Sequence, residues 1–331
     1  MDIMTGLYNT EECPYVCEYT KNKDLYLNAS AFIFHIRAEH KELPKARSDK
    51  QLYVFFLDES PSYTFDHYKD VPPDFFNITM TYRVESDIYY PYDVFIPFKN
   101  NERKPDEYWT EKEVMESVLR KKKLAIMVTS DCNTPSKREN LVAELVVLVQ
   151  CRVISTNHMF YLAFENSVCH HYVTEKFWNL KHLIVPVVLS RRVINQKKIP
   201  DNVYIAVDDF NNTAELAEYL LYLQKNKTAY LKYFEWTKIY KKTTYRRHFH
   251  SYDLRAHQNY IESQNGTYSP SYNPLCNLCE LVHKQNEKGH PPLRINNIWE
   301  FWNFTGVCID NWSNIWLKGN HIKAYKEAKW S

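Results

Sequence analysis

Six short apolar runs, at residues 31–36, 52–57, 124–128, 160–164, 185–189 and 204–207, punctuate the chain. They are continuous rather than alternating, which predicts strands covered on both faces. Between them, residues 112–120 place Val114, Met115, Val118 and Leu119 on one stripe, and 137–149, 174–183, 214–225 and 229–240 carry the same helical period. Strands alternating with helices predict parallel α/β layers. The polar, proline-containing stretch at 100–105 predicts a boundary, and after about residue 245 the chain turns to Asn, His, Tyr, Pro and clustered Cys. The expected organisation is an α/β domain over 1–105, a second over 106–260, and a cysteine-containing tail over 261–331 that packs back on them.

Composition narrows the function. A formal net charge of +2 excludes the global positive field that gathers nucleic acid. The basic run Arg120-Lys121-Lys122-Lys123 reads as a solvated helix end rather than an anion site. No window reaches the length of a membrane-crossing helix; the longest apolar stretch, 141–149, is broken by Glu144, and residues 1–12 show no signal-peptide core. The chain therefore reads as soluble. The 26 tyrosines and 17 phenylalanines suit sugar stacking as well as core packing.

Cys13 and Cys17 near the start, and Cys276, Cys279 and Cys308 near the end, read as staples in a secretory-type protein. The alternative is a zinc site built from Cys276 and Cys279 with His283 and Cys308, which offers a poorer ligand set. Seven Asn-x-Ser/Thr triplets, at Asn28, Asn77, Asn211, Asn226, Asn265, Asn303 and Asn311, fit the same compartment.

Glycine is more discriminating. None of the 5 lies between Gly6 and Gly266, so neither a dinucleotide-binding glycine turn nor a P-loop is present. A nucleotide here must be held by side chains. The segment 160–167 (FYLAFENS) reads as a strand ending in a polar loop, and 172–176 (YVTEK) opens a helix that Thr174 can cap. Ligands of parallel sheets sit beyond the carboxyl ends of strands, which puts Glu165, Asn166, Glu175 and Lys176 at that edge. Lys176 in a first helical turn is unfavourable unless an anion offsets it. Taken alone, these residues read more simply as a capped helix with surface charges.

The longer pattern FYLAFENS…YVTEK…VPVVL (160–189) resembles the signature of glycosyltransferase family 10, the α-1,3-fucosyltransferases. FNITMTYR at 76–83 with Pro91-Tyr92 resembles that family's acceptor-domain motif, and Asp58-Glu59-Ser60-Pro61 its Glu-Ser-Pro loop. Thr129-Ser130-Asp131-Cys132 with Ser136-Lys137-Arg138, then 205–210, Tyr230, 233–236 and Cys276-x-x-Cys279, also fit. The likeness runs from about Cys13 to Cys308 and is closest to invertebrate, nematode-like enzymes of the N-glycan core.

The resemblance implies a GT-B architecture, two Rossmann-like domains facing a cleft, with acceptor bound by the first and GDP-fucose by the second. It implies inverting transfer of L-fucose from GDP-β-L-fucose in α-1,3 linkage to GlcNAc of N-glycans on glycoproteins. Glu59 is the implied catalytic base; Ser130, Arg138, Asn166, Tyr172, Glu175 and Lys176 are the implied donor-binding residues. No cofactor is implied, with a divalent cation such as Mn2+ at most stimulating, and no nucleic acid. The implied location is the luminal face of the Golgi membrane, reached through an anchor this chain lacks.

Some positions depart from the family pattern. Only 21 residues separate Arg138 from Phe160, which implies a shortened donor domain. His171 stands for an Asp, Asp93 for a Gly and Ser190 for a Gly. These leave a second reading open, a catalytically impaired relative that binds nucleotide or glycan.

Overall fold

The apolar run at 52–57 becomes a strand whose six side chains are all buried, as a doubly covered strand requires. The computed structural model describes residues 6–8, 13–20, 22–37, 48, 50–64, 71–98, 103–145, 157–194, 199–242, 274–287 and 293–330. The chain divides into two units, Met1–Pro91 with Arg246–Asn303 and Tyr92–Tyr245 with Phe304–Ser331.

In the first unit β1 (Gly6–Tyr8) pairs antiparallel with β2 (Cys17–Tyr19). β3 (Ala31–His35), β4 (Leu52–Leu57), β5 (Ile78–Thr81) and β6 (Ile88–Tyr89) form a parallel sheet in that order. One layer of its core joins Val54, Phe56, Ile78 and Met80 to Leu275 and Leu278 of the helix Pro274–Asn286. A second set of buried rings links Phe55 to Phe76 and Trp302. The staples are disulfides: Cys13–Cys276 and Cys17–Cys279 tie the start of the chain to that helix. His283 lies near Cys17 and Cys279, but their sulfurs are joined to each other and supply no thiolate for the zinc alternative.

In the second unit β7 (Lys123–Ile126), β8 (His158–Leu162), β10 (Val185–Val188) and β11 (Ile205–Ala206) form a parallel sheet in the order β11-β10-β8-β7. A two-residue ribbon pairs β9 (Val168–Cys169) with β12 (Cys308–Ile309), and a disulfide joins Cys169 to Cys308 across it. Helix α1 (Glu111–Arg120) opens on a capping box of Thr110 and Glu113. Only Val114 and Val118 of its expected stripe are buried; Met115 and Leu119 are exposed, because one narrow row of the helix meets the core. α2 (Arg138–Leu145) begins one residue late, as Lys137 takes a left-handed φ of 54°. Residues 146–156 lie outside the described residues, and so does the expected shortening of the donor domain.

α3 (Glu175–Trp178) is capped by Thr174 and runs into a 3-10 turn, Asn179–His182. α4 is Arg191–Ile194. α5 (Thr213–Lys225) buries Leu216, Leu220 and Leu223 along one row, and α6 (Lys227–Leu231), capped by Asn226, buries Tyr230.

Within the basic run Lys121 is buried, 3% exposed, and its Nζ donates to the His158 carbonyl at 2.9 Å. Burial first, then Arg120 and Lys227, pushes its pKa down to about 8. The ammonium is therefore protonated in folded and unfolded chains below pH 8, and its full desolvation cost weighs on neutral-pH stability. That cost is released as pH rises from about 8 to 10.5, where the unfolded chain binds the extra proton. Lys121→Met should be more stable than wild type at pH 7, by about 1–3 kcal/mol. The difference should shrink by pH 10 in urea titrations. A gap of the same size at both pH values would remove the explanation.

Candidate active site

β8 delivers Phe164, Glu165 and Asn166 to the carboxyl edge of the second unit's sheet. The loop leading into α2 is sewn to that edge: Ser136 donates its N–H to the Asn166 carbonyl at 2.9 Å and its hydroxyl to the Glu165 carbonyl at 2.8 Å. Arg138 is the first residue of α2 and only 3% exposed. Its guanidinium donates to the Phe164 carbonyl at 2.7 Å, to the Thr129 hydroxyl and to the Asp131 carbonyl at 3.1 Å. Among the described residues no carboxylate comes within ion-pair distance of it, and Nε has no hydrogen-bond partner. A buried guanidinium held only by neutral oxygens keeps its positive field uncancelled.

The second cation is compensated. Lys176 Nζ lies 2.8 Å from Glu175 Oε1, 3.3 Å from Glu165 Oε2 and 3.1 Å from the Thr174 hydroxyl. Burial draws the ammonium's pKa down, but Glu165 and then Glu175 outweigh it and hold the group above the usual lysine value. Glu165 itself is 8% exposed, and burial pushes its carboxyl above the ordinary range against the pull of Lys176 and Thr174. Glu165 was absent from the expected donor set. Its one sequence signal is an acid directly following a buried aromatic strand.

The other expected residues gather nearby. Asn166 follows Glu165, and its buried Oδ1 has no partner among the described residues. Tyr172 is buried after His171, which takes a left-handed φ of 62°, and its ring meets Tyr92 edge-on at 6.4 Å. Ser130 is exposed in the loop whose Thr129 and Asp131 hold Arg138. A small cavity of about 20 Å³, room for a single water, is lined by Glu165, Ser167, Tyr172, Phe177 and Ser190. Thus six expected donor residues share one edge of the second unit.

Ser190, a departure from the family pattern, is bonded rather than vacant. Its hydroxyl and that of Tyr325 both reach Asp208 Oδ2, at 2.8 and 2.7 Å, while Asp208 Oδ1 accepts the Arg191 N–H. Tyr325 lies in the helix His321–Glu327, so the chain's last segment is part of this unit's framework. Glu59 belongs to the first unit, just beyond β4. Its carboxylate lies 3.5 Å from the Arg37 guanidinium, and His35 stands 3.9 Å from the neighbouring Asp58.

The sequence of the chain is similar to those of known proteins. The profile described as "Glycosyltransferase family 10 (fucosyltransferase) C-term" matches residues 118–298, and that described as "Fucosyltransferase, N-terminal" matches residues 4–93. The alpha-(1,3)-fucosyltransferase fut-1 of Caenorhabditis elegans is 32% identical over 70% of this chain and 56% of its own length. The fut-5 enzyme of the same nematode is 27% identical over 91% of this chain and 79% of its own. A 3-galactosyl-N-acetylglucosaminide 4-alpha-L-fucosyltransferase of Bos taurus is 34% identical over 66% of this chain and 64% of its own. The chain therefore spans little more than half the length of some curated relatives it matches. With the first profile covering more than half of its residues and the second most of the remainder before it, the chain belongs to glycosyltransferase family 10, the fucosyltransferases.

Proposed function

We propose that this chain transfers L-fucose from GDP-β-L-fucose, with inversion and in α-1,3 linkage, to GlcNAc of N-glycans. The observation that carries the reading is the pair of cations at one sheet edge: Arg138, buried with no carboxylate partner among the described residues, and Lys176 at the start of α3. In the transfer, the bond from fucose C1 to the β-phosphate oxygen breaks as the acceptor oxygen bonds to C1. The acceptor proton passes to Glu59, and the charge that grows on the departing diphosphate is met by Arg138 and Lys176. Arg presents a planar fork and Lys a point charge, so the two suit different oxygens of the diphosphate. Asn166 Oδ1, Ser130, Glu175 and Tyr172 then serve sugar, ribose and base. The reading asks for no resident cofactor and leaves Mn2+ a stimulating role.

The bovine relative's name, with N-acetylglucosaminide as acceptor, agrees with a GlcNAc acceptor. The disulfides agree with an oxidising compartment, and we place the enzyme on the luminal side of Golgi membranes. Among the described residues no helix is long and apolar enough to cross a membrane.

The test is GDP release from GDP-fucose in the presence of an N-glycopeptide, with the product linkage read by mass spectrometry. Turnover with an α-1,3-linked product is expected; GDP binding without turnover would leave a binding protein and sink the transferase reading. Lys176→Ala should weaken GDP binding by about 1.5–3 kcal/mol, the loss of a charge-assisted contact, as measured by calorimetry. Unchanged affinity in a folded mutant would take Lys176 out of the site.

A further inference from the structure

Lys176 has three neighbours, and they do not hold it equally. Glu175 is 68% exposed at its side chain, so its grip is that of a surface pair, solvated and weak. Glu165 is buried and itself fixed from several directions. Its Oε1 accepts the Thr174 N–H at 2.8 Å, and the Thr174 hydroxyl lies 2.8 Å from both carboxylate oxygens. That hydroxyl, donating to Glu165, turns its lone pairs to the ammonium 3.1 Å away. The result is a chain of bonds from Lys176 through Thr174 to Glu165, closed by the direct 3.3 Å contact. At its main chain the same residue takes the Ser136 hydroxyl, and the preceding carbonyl takes Arg138. Glu165 thus holds Lys176, and its neighbour Phe164 holds Arg138.

We propose that Glu165 is a positioning residue for the donor: it sets where the Lys176 ammonium stands, and so how a nucleoside diphosphate is held for transfer. The proposal rests on the transferase reading above. Without the Glu165 charge the ammonium keeps an exposed carboxylate and a neutral hydroxyl and swings towards solvent, while the fold retains the Thr174 contacts if the side chain stays the same shape. An error of about 1 Å in such a group costs roughly a hundredfold in rate.

A double-mutant cycle with GDP-fucose, GDP and an N-glycopeptide separates this role from a purely structural one. Glu165→Gln should lower the transfer rate by roughly ten- to a hundredfold, and change GDP affinity by a smaller factor, because it also removes a negative charge near the diphosphate. In the Lys176→Met background the same Glu165→Gln change should alter transfer by less than about twofold. Thermal stability should reverse sign across the cycle: Glu165→Gln lowers the midpoint beside lysine and raises it beside methionine, where the buried carboxylate has lost its counter-ion. Equal losses of transfer in both backgrounds would assign Glu165 to the fold alone and overturn the proposal. So would undiminished transfer in Glu165→Gln. If that variant does not fold, Glu165→Asp, which keeps the charge one methylene short, replaces it and must lower transfer at near-normal stability. If the wild-type chain transfers no fucose, the transferase reading fails by itself. GDP affinity then reads the inference, responding to Glu165→Gln only when Lys176 is present.

Discussion

Glu59→Gln should bind GDP-fucose normally and transfer fucose at about one hundredth of the wild-type rate or less. The glutamine has the size of the glutamate and no basicity, so the variant isolates proton removal from the acceptor hydroxyl. The structure explains why the fold should tolerate it. Glu59 sits past the end of β4 rather than within it, and its side chain is 29% exposed. Its ion pair with Arg37, 36% exposed and 3.5 Å away, is of the kind worth roughly 0–1 kcal/mol. The strand behind it is fixed independently, by the buried Val54, Phe55 and Leu57 and by ladders to β3 and β5. A fall in transfer at unchanged melting temperature and unchanged donor affinity therefore reports chemistry. Transfer within a few-fold of wild type would show that another group takes the proton, and the Glu-Ser-Pro likeness would then mark only a turn.

The parallel α/β layers were legible because their central strands are buried on both faces and so write themselves as unbroken apolar runs, as at 52–57 and 185–188. β5 escaped the pattern although all four of its residues are buried, because two are threonines. Their polarity is absorbed locally: Thr79 bonds Asp87 through both N–H and hydroxyl, and the Thr81 hydroxyl meets Ser86 at 2.5 Å. Two-residue strands such as β9 and β12 carry no period at all. Terminal cysteines announced staples, but which sulfur meets which depends on a register hundreds of residues apart, and Cys308 pairs with Cys169 in mid-chain. At the candidate site the residue types could be read from the motifs. The burial of Arg138 and the grip of Glu165 on Lys176 could not, since a loop folding back over nine residues creates the latter.

The largest stability effect is expected at Asp93, where the sequence resemblance leads to an expectation of glycine. Asp93 and Lys181 are 3% and 1% exposed at their side chains, with Oδ1 and Nζ 2.9 Å apart. The ammonium also donates to the Val94 carbonyl at 2.9 Å, and Asp93 Oδ1 takes the Val94 N–H at 2.7 Å. Lys181 lies in the 3-10 turn that continues α3, the helix bearing Lys176, so the pair anchors the far end of that helix. Burial pulls the Lys181 pKa down, and Asp93 opposes that pull. Removing the acid leaves the buried ammonium without that counter-charge, beside the Val94 carbonyl and the Trp178 ring. Asp93→Ala, and equally Asp93→Gly, should therefore cost about 3–5 kcal/mol, the usual penalty for stripping one partner from a buried pair. For a unit of this size that is a drop of roughly 10 °C in the melting midpoint. Asp93→Ala combined with Lys181→Met should recover most of the loss, because an apolar pair has no charge left to desolvate. Asp93 is then a residue whose buried charge Lys181 absorbs. Calorimetric scans of the three variants decide it: a single mutant as stable as wild type, or a double mutant no better than the single, would show that the pair does not hold this turn.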